Sequence, residues 1–252
     1  MSVSSTPRQP GHANGSGEAE ELATWTRQAR VFLQPIAPPS ILGLFGFAAA
    51  TFMVAAHEAG WYGGPRSGVF LFPFAAAFGG VAQLLAAMWA YRARDGVATA
   101  MHGAWGSFWI GYGILNLMAA AGWVTLPTTG GAFPEVGFWL FVLAAVTAAG
   151  AVAALGDNLG LFAVLASLAV GAAFLGIFYY AGGSGWQEAG GWVLIASAIL
   201  AFYTATAMML EGAFGRVVLP LGEPRLKANV PGRSVTHPIE FHGGEPGVRH
   251  GQ

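Results

Sequence analysis

The chain has 252 residues, of which only 9% are charged and 55% apolar, with a net charge of −1 and a mean hydropathy of +0.55. A soluble chain carries charge at about a quarter of its positions, so this composition belongs in lipid. All eleven Lys and Arg lie in 1–94 or 216–252, which leaves no basic face for nucleic acid, and the absence of Cys excludes disulfides, thiolate metal sites and thiol catalysis.

Residues 1–37 read as a cytoplasmic N-terminal tail. They open Ser/Gly/Pro-rich without the apolar core of a secretory signal. At Leu22–Leu33, with Trp25, Arg27 and Arg30, the pattern suits either a short helix on the membrane surface or a linker. Pro38–Gly64 then sets the theme of the chain: two prolines, an uncharged apolar run, and a polar, glycine-rich turn. A helix over 40–58 would measure about 30 Å, the thickness of a bilayer core.

The remaining runs follow in order. Gly68–Tyr91 ends in Arg92 and Arg94. Ala98–Gly122 is the most polar run, with His102, Ser107, Tyr112 and Asn116. After the loop Thr125–Pro134 a fourth run continues to Leu155, and only Gly156–Asn158 separates it from a fifth, Leu159–Ala181. A loop over Gly182–Gly190 leads to the sixth, Gly191–Leu210.

The expectation is an all-α integral membrane protein with six transmembrane helices over 38–215 and a disordered cytoplasmic tail over 216–252. The runs are continuous rather than alternating, which excludes a β-barrel. Positive charges precede the first helix, separate the second from the third and follow the sixth, while only Arg66 falls on the other side. Both termini are therefore expected in the cytoplasm. Dense Gly and Ala within the runs predict close helix packing. His237, His242 and His250 match no metal-site spacing, and neither a metal nor a cofactor is expected.

Several stretches together resemble the acetate uptake transporter family, small six-helix permeases for acetate and related carboxylates. The first helix of that family opens Asn-Pro-Ala-Pro-Leu-Gly-Leu and continues through a Gly-Phe step; here Leu42, Gly43, Leu44, Gly46 and Phe47 match. Phe78-Gly79-Gly80-Val81-Ala82-Gln83 is similar to its Gly-Gly-x-x-Gln step, and Gly106-Ser107-Phe108-Trp109 to another shared run. The strongest match is the exit from helix six, Phe202-Tyr203 followed by Phe214-Gly215-Arg216-Val217-Val218-Leu219-Pro220-Leu221-Gly222. Together these cover most of 38–222. Departures mark a divergent member: the opening Asn falls at Pro38, the second Pro at Ile41, a Gly-Asn-Thr-Phe run at Arg94-Asp95-Gly96-Val97, and a tyrosine at Trp105.

The resemblance implies a narrow point formed by Phe47, Trp105 and Leu168, where an apolar collar stops ions by dewetting and opens with a small ring rotation. Trp105 in place of Tyr narrows the collar and replaces a hydroxyl with an N–H donor. The residues themselves suggest an uncharged polar lining of Thr51, Gln83, Ser107, Asn116 and Tyr203, with Thr204 and Thr206 beside them, although such groups also bond neighbouring helices. Ionisable groups in the runs are functional candidates, and His57 and His102 are suited to couple transport to protons.

The expected function is a plasma-membrane permease for acetate or a related short-chain carboxylate, proton-coupled or channel-like. The resemblance implies a homo-oligomer, a hexamer, in contact with lipid and a small carboxylate. The alternatives are a channel for a small neutral solute such as ammonia or urea, and an acetate sensor that moves nothing. The tails carry no nucleophile–base pair, phosphate loop or metal spacing, so an enzyme is not expected.

Overall fold

A computed structural model describes residues 36–64, 67–125 and 133–222. The surface helix expected at Leu22–Leu33, Arg66 and the histidines of the C-terminal tail lie outside the described residues. Helices account for nearly all of the described chain, and no β-strand occurs among these residues.

Helix α1 spans Ser40–Glu58, with Pro39 at its N-cap, where a ring fixed at φ −62° suits the first turn. Helix α2 spans Ser67–Ala93. Pro73 sits inside it, removing a backbone donor and crowding the carbonyl one turn earlier. The turns that follow, Ala75–Ala82, are wound as a π-helix, so the plain helix expected from the apolar run contains a widened segment. Arg94 in left-handed conformation, φ 61°, reverses the chain.

Helix α3 spans Gly96–Ala120, and the Asp95 carboxylate caps it by accepting from the Ala98 N–H at 2.8 Å. Helix α4 spans Pro134–Ala154 with Pro in its first turn. Helix α5 spans Leu159–Ala181 and is capped by Asn158, whose Oδ1 accepts from the Leu161 N–H at 2.8 Å. Helix α6 spans Ser184–Phe214, 31 residues. The loop expected over 182–190 is thus reduced to the positive-φ pair Gly182 and Gly183, and the sixth helix extends past both ends of its apolar run. Gly215, φ 63°, ends it.

Five of these helices, α1, α2, α4, α5 and α6, are long and apolar enough to cross a membrane. Helix α3 has comparable length but is more polar. Each helix packs against the next in sequence and α6 returns to α1, which closes the circuit. Short connections make neighbours antiparallel, so α1, α3 and α5 run one way and α2, α4 and α6 the other. Backbones come close where side chains are absent. A Cβ on Gly46 would meet the Phe78 carbonyl oxygen at 2.5 Å, and one on Gly191 would meet the Ala59 nitrogen and the Ala55 oxygen.

The expected tail begins at Arg216, yet residues up to Gly222 fold back onto the bundle. The Leu159 and Gly160 N–H groups donate to the carbonyls of Gly222 and Leu221, the Tyr203 hydroxyl donates to the Pro220 carbonyl at 2.8 Å, and Val217 and Leu221 are buried. These contacts satisfy N–H groups of the α5 first turn that have no helical partner. Large apolar side chains such as Phe70, Phe74, Phe138 and Val152 cover the outside, and Trp61, Trp123 and Trp192 are exposed near one end, as in an interfacial aromatic belt.

Candidate functional site

Phe47 of α1, Trp105 of α3 and Leu168 of α5 come from three parallel helices and meet in the middle of the bundle. They are 3%, 5% and 2% exposed, and the Phe47 and Trp105 rings stand edge to face with centroids 6.3 Å apart. All three line one cavity of about 30 Å³, which extends from them toward the Ser40 end of α1 and is also lined by Ser40, Gln83, Met101 and His102. That volume holds a water or two.

Gln83 leaves the π segment pointing inward. Its Nε2 donates to the Gly79 carbonyl at 2.8 Å, and its Oε1 faces His102 Nδ1 at 3.4 Å. The His102 ring lies flat on Gly43, whose missing Cβ makes room for it. The cavity therefore offers an amide and an imidazole among apolar walls, and no fixed cation.

Trp105 does not present its N–H to this space. Its Nε1 donates to Thr147 Oγ1 of α4 at 2.9 Å, and Thr147 is fully buried. The donor expected to replace a tyrosine hydroxyl is thus consumed by a helix–helix bond. Thr147 was not legible as a partner, because a lone Thr in an apolar run carries no sign of what it faces.

The other expected residues scatter. Ser107 is exposed and its hydroxyl donates back to the Gly103 carbonyl at 2.8 Å. Asn116 is buried, with Nδ2 donating to the Tyr112 carbonyl. Tyr203 ties down the C-terminal segment as described, while Thr204 and Thr206 donate to carbonyls one turn earlier. Thr51 is buried on α1, one turn beyond Phe47.

The two histidines are not brought together. His102 lines the cavity, whereas His57 lies at the far end of α1, with Nδ1 3.8 Å from Glu58 Oε1. Glu58 itself is largely buried, its side chain 8% exposed, because Gln187 of α6 donates from Nε2 to Glu58 Oε2 at 2.6 Å. A buried carboxylate at a helix end needs such a donor. The sequence signal for it lay in the first turns of α6, which the apolar run alone did not include.

A bundle with five helices long and apolar enough to cross a membrane is that of a multi-pass membrane protein. The model of the GPR1/FUN34/yaaH family matches residues 24–221, and the chain belongs to that family. The succinate-acetate/proton symporter SatP of Escherichia coli strain K12 is 29% identical over 192 residues, 75% of this chain and 96% of SatP. An uncharacterized protein of Methanothermobacter thermautotrophicus is 28% identical over 189 residues, 73% of this chain and 90% of that protein. The structure of the bacterial acetate channel SatP superposes with a TM-score of 0.68 at 27% identity, covering 75% of this chain and all of that one.

Proposed function

We propose that this protein is a permease for acetate or a related short-chain carboxylate, moving with a proton or through a channel-like path. The observation that carries the reading is the plug of Phe47, Trp105 and Leu168 above a cavity holding Gln83 and His102. An apolar plug holds back hydrated ions until a ring moves, and neutral donors replace part of a carboxylate's hydration without trapping it. Relatives named for succinate, acetate and protons support the same cargo.

The proposal counts α3 as the sixth spanning helix, since it matches the others in length and closes the circuit between α2 and α4. It places both termini in the cytoplasm, because Arg92, Arg94 and Arg216 lie at the Ser40 end of the bundle and Arg66 follows the Glu58 end. The membrane is the plasma membrane and the assembly a homo-hexamer, as the family resemblance implies. The exposed ridge Phe70, Phe74 and Phe78 of α2 offers an apolar contact surface for it. His102 is the proton carrier of this reading, being the histidine that lines the cavity.

Purified protein in liposomes, given labelled acetate with and without an inward proton gradient, tests the proposal. Accumulation beyond equilibrium means symport, and gradient-independent equilibration means a channel. Absence of acetate flux, with urea or ammonia passing instead, refutes the carboxylate reading.

A further inference from the structure

A groove of about 770 Å³ runs between α3 and α4 and is open to the outside. Arg94, Asp95 and Asp157 line it where the turns before α3 and after α4 come together, and Val146, Ala149 and Ala153 form its α4 wall. Three ionisable groups make that mouth a place for water rather than lipid. At its other end the groove stops where the Trp105 N–H bonds Thr147 Oγ1 across the two helices.

The groove and the interior cavity are one side chain apart. Val97 and Met101 line both spaces. Being four residues apart, they form one stripe along α3. Ala98, His102 and Trp105 fall on one side of this stripe and line only the cavity, whereas Gly96 and Ala100 fall on the other and line only the groove. Across from Met101, α4 offers Gly150, which has no side chain to complete the partition. A Cβ there would meet the Met101 Sδ at 2.5 Å and its Cε at 2.9 Å, so the thioether lies directly on the α4 backbone. Met101 is 7% exposed, and its unbranched chain with three rotatable bonds can leave that seat by rotation.

The axial end of the cavity is held more firmly. It is bounded by Ser40, 7% exposed, and by Leu161. The Leu161 N–H is bonded to Asn158, and the Leu159 and Gly160 N–H groups to the segment ending at Gly222. Widening that end disturbs backbone hydrogen bonds, whereas moving Met101 takes only a change of rotamer.

We infer that Met101 is the leaf of a side door, through which the cavity joins the α3–α4 groove and the solute passes between these two helices rather than along the bundle axis. The inference rests on the permease reading and adds to it the route at the Ser40 end. The closed cavity holds a water or two, so a carboxylate needs space that the cavity walls do not supply. Swinging Met101 off Gly150 supplies it by opening the cavity to the groove. Val97, β-branched and stiff at χ1, stays as the fixed post beside the leaf.

The chain has no Cys, so a thiol reagent acts only where a Cys is introduced. The detergent-purified full chain carrying Ala149→Cys is treated with a charged methanethiosulfonate, reconstituted in liposomes, and compared with its untreated half for acetate flux. Val152→Cys, on the outer surface of α4 and outside the groove, is the labelling control, and mass spectrometry reads the extent of labelling. A severalfold loss of flux is expected on labelling Ala149→Cys and none on labelling Val152→Cys. Met101→Ala is expected to raise flux severalfold while lowering the melting temperature, and Met101→Phe, bulkier and stiffer, to lower flux. A residue that only packs would lose flux and stability together, so lowered flux in Met101→Ala overturns the door. Full labelling of Ala149→Cys with flux unchanged overturns it too, and so does an Ala149→Cys thiol that never reacts, since the groove is then covered. In each of those cases a wild type that passes acetate leaves the permease standing, whereas a wild type that passes none overturns both. Should Met101→Ala fail to fold, the labelling of Ala149→Cys decides alone.

Discussion

Thr147→Val tests how the plug is held. The substitution preserves shape and removes the oxygen that accepts the Trp105 N–H at 2.9 Å. Thr147 is fully buried and Trp105 nearly so, so no water can take the vacated place. Interhelical hydrogen bonds in membranes contribute about 0.6 to 1.7 kcal/mol, which corresponds to roughly three- to twentyfold in an equilibrium constant. If the Trp105 ring must swing to open the path, the bond exists only in the closed state and its loss shifts the closed–open balance by that factor. The expected result is acetate flux in liposomes raised threefold or more, with a melting temperature lowered by a few degrees. Trp105→Phe in the same background should add little, because both changes delete one bond, and the double-mutant cycle reads the coupling directly. Lower stability with unchanged flux would mean that the Trp105–Thr147 bond persists while substrate passes, and the gating argument would be wrong.

Gly46→Ala places a Cβ 2.5 Å from the Phe78 carbonyl oxygen, and ordinary C–H···O contacts start near 3.3 Å, so α1 and α2 must part by about 0.8 Å beside Phe47. Destabilisation of about 1–3 kcal/mol and a loss of uptake are expected, and wild-type melting and flux would refute the close approach. Gln187→Ala strips the buried Glu58 of the donor at 2.6 Å, and Glu58→Gln in addition should recover much of the lost stability, since a neutral amide is easier to bury than a carboxylate. An unchanged melting temperature in Gln187→Ala would show that the pair contributes nothing. In the turn between α4 and α5, burial and then the nearby Asp95 carboxylate push the Asp157 carboxyl above its usual range. A folded value above the unfolded one means that the ionised form is the disfavoured one, so stability falls as pH rises through the folded value. Asp157→Asn should melt with wild type well below pH 4 and slightly above it near neutrality, and a difference independent of pH would refute the assignment.

Much of the architecture was legible in the residue order, because an apolar run of about 20 residues has few options other than a helix in lipid. The runs at 40–58, 134–155 and 159–181 match α1, α4 and α5 to within a residue or two, since Pro39, Pro134 and Asn158 punctuate them locally. The motifs singled out Phe47, Trp105 and Gln83 as individual residues. Hydropathy could not reveal the π turns after Pro73, or the two extra turns at the start of α6, because polar first turns read as loop until a neighbour covers them. It could not join Trp105 to Thr147, Glu58 to Gln187, or Gly43 to His102 either. Those pairs are 42, 129 and 59 positions apart and meet only when the helices close their circuit. Local chemistry dictated which segments become helices and which side chains are inward candidates. Tertiary packing alone decided which polar atoms find partners and which two among the described residues, at Thr51 and Trp109, do not.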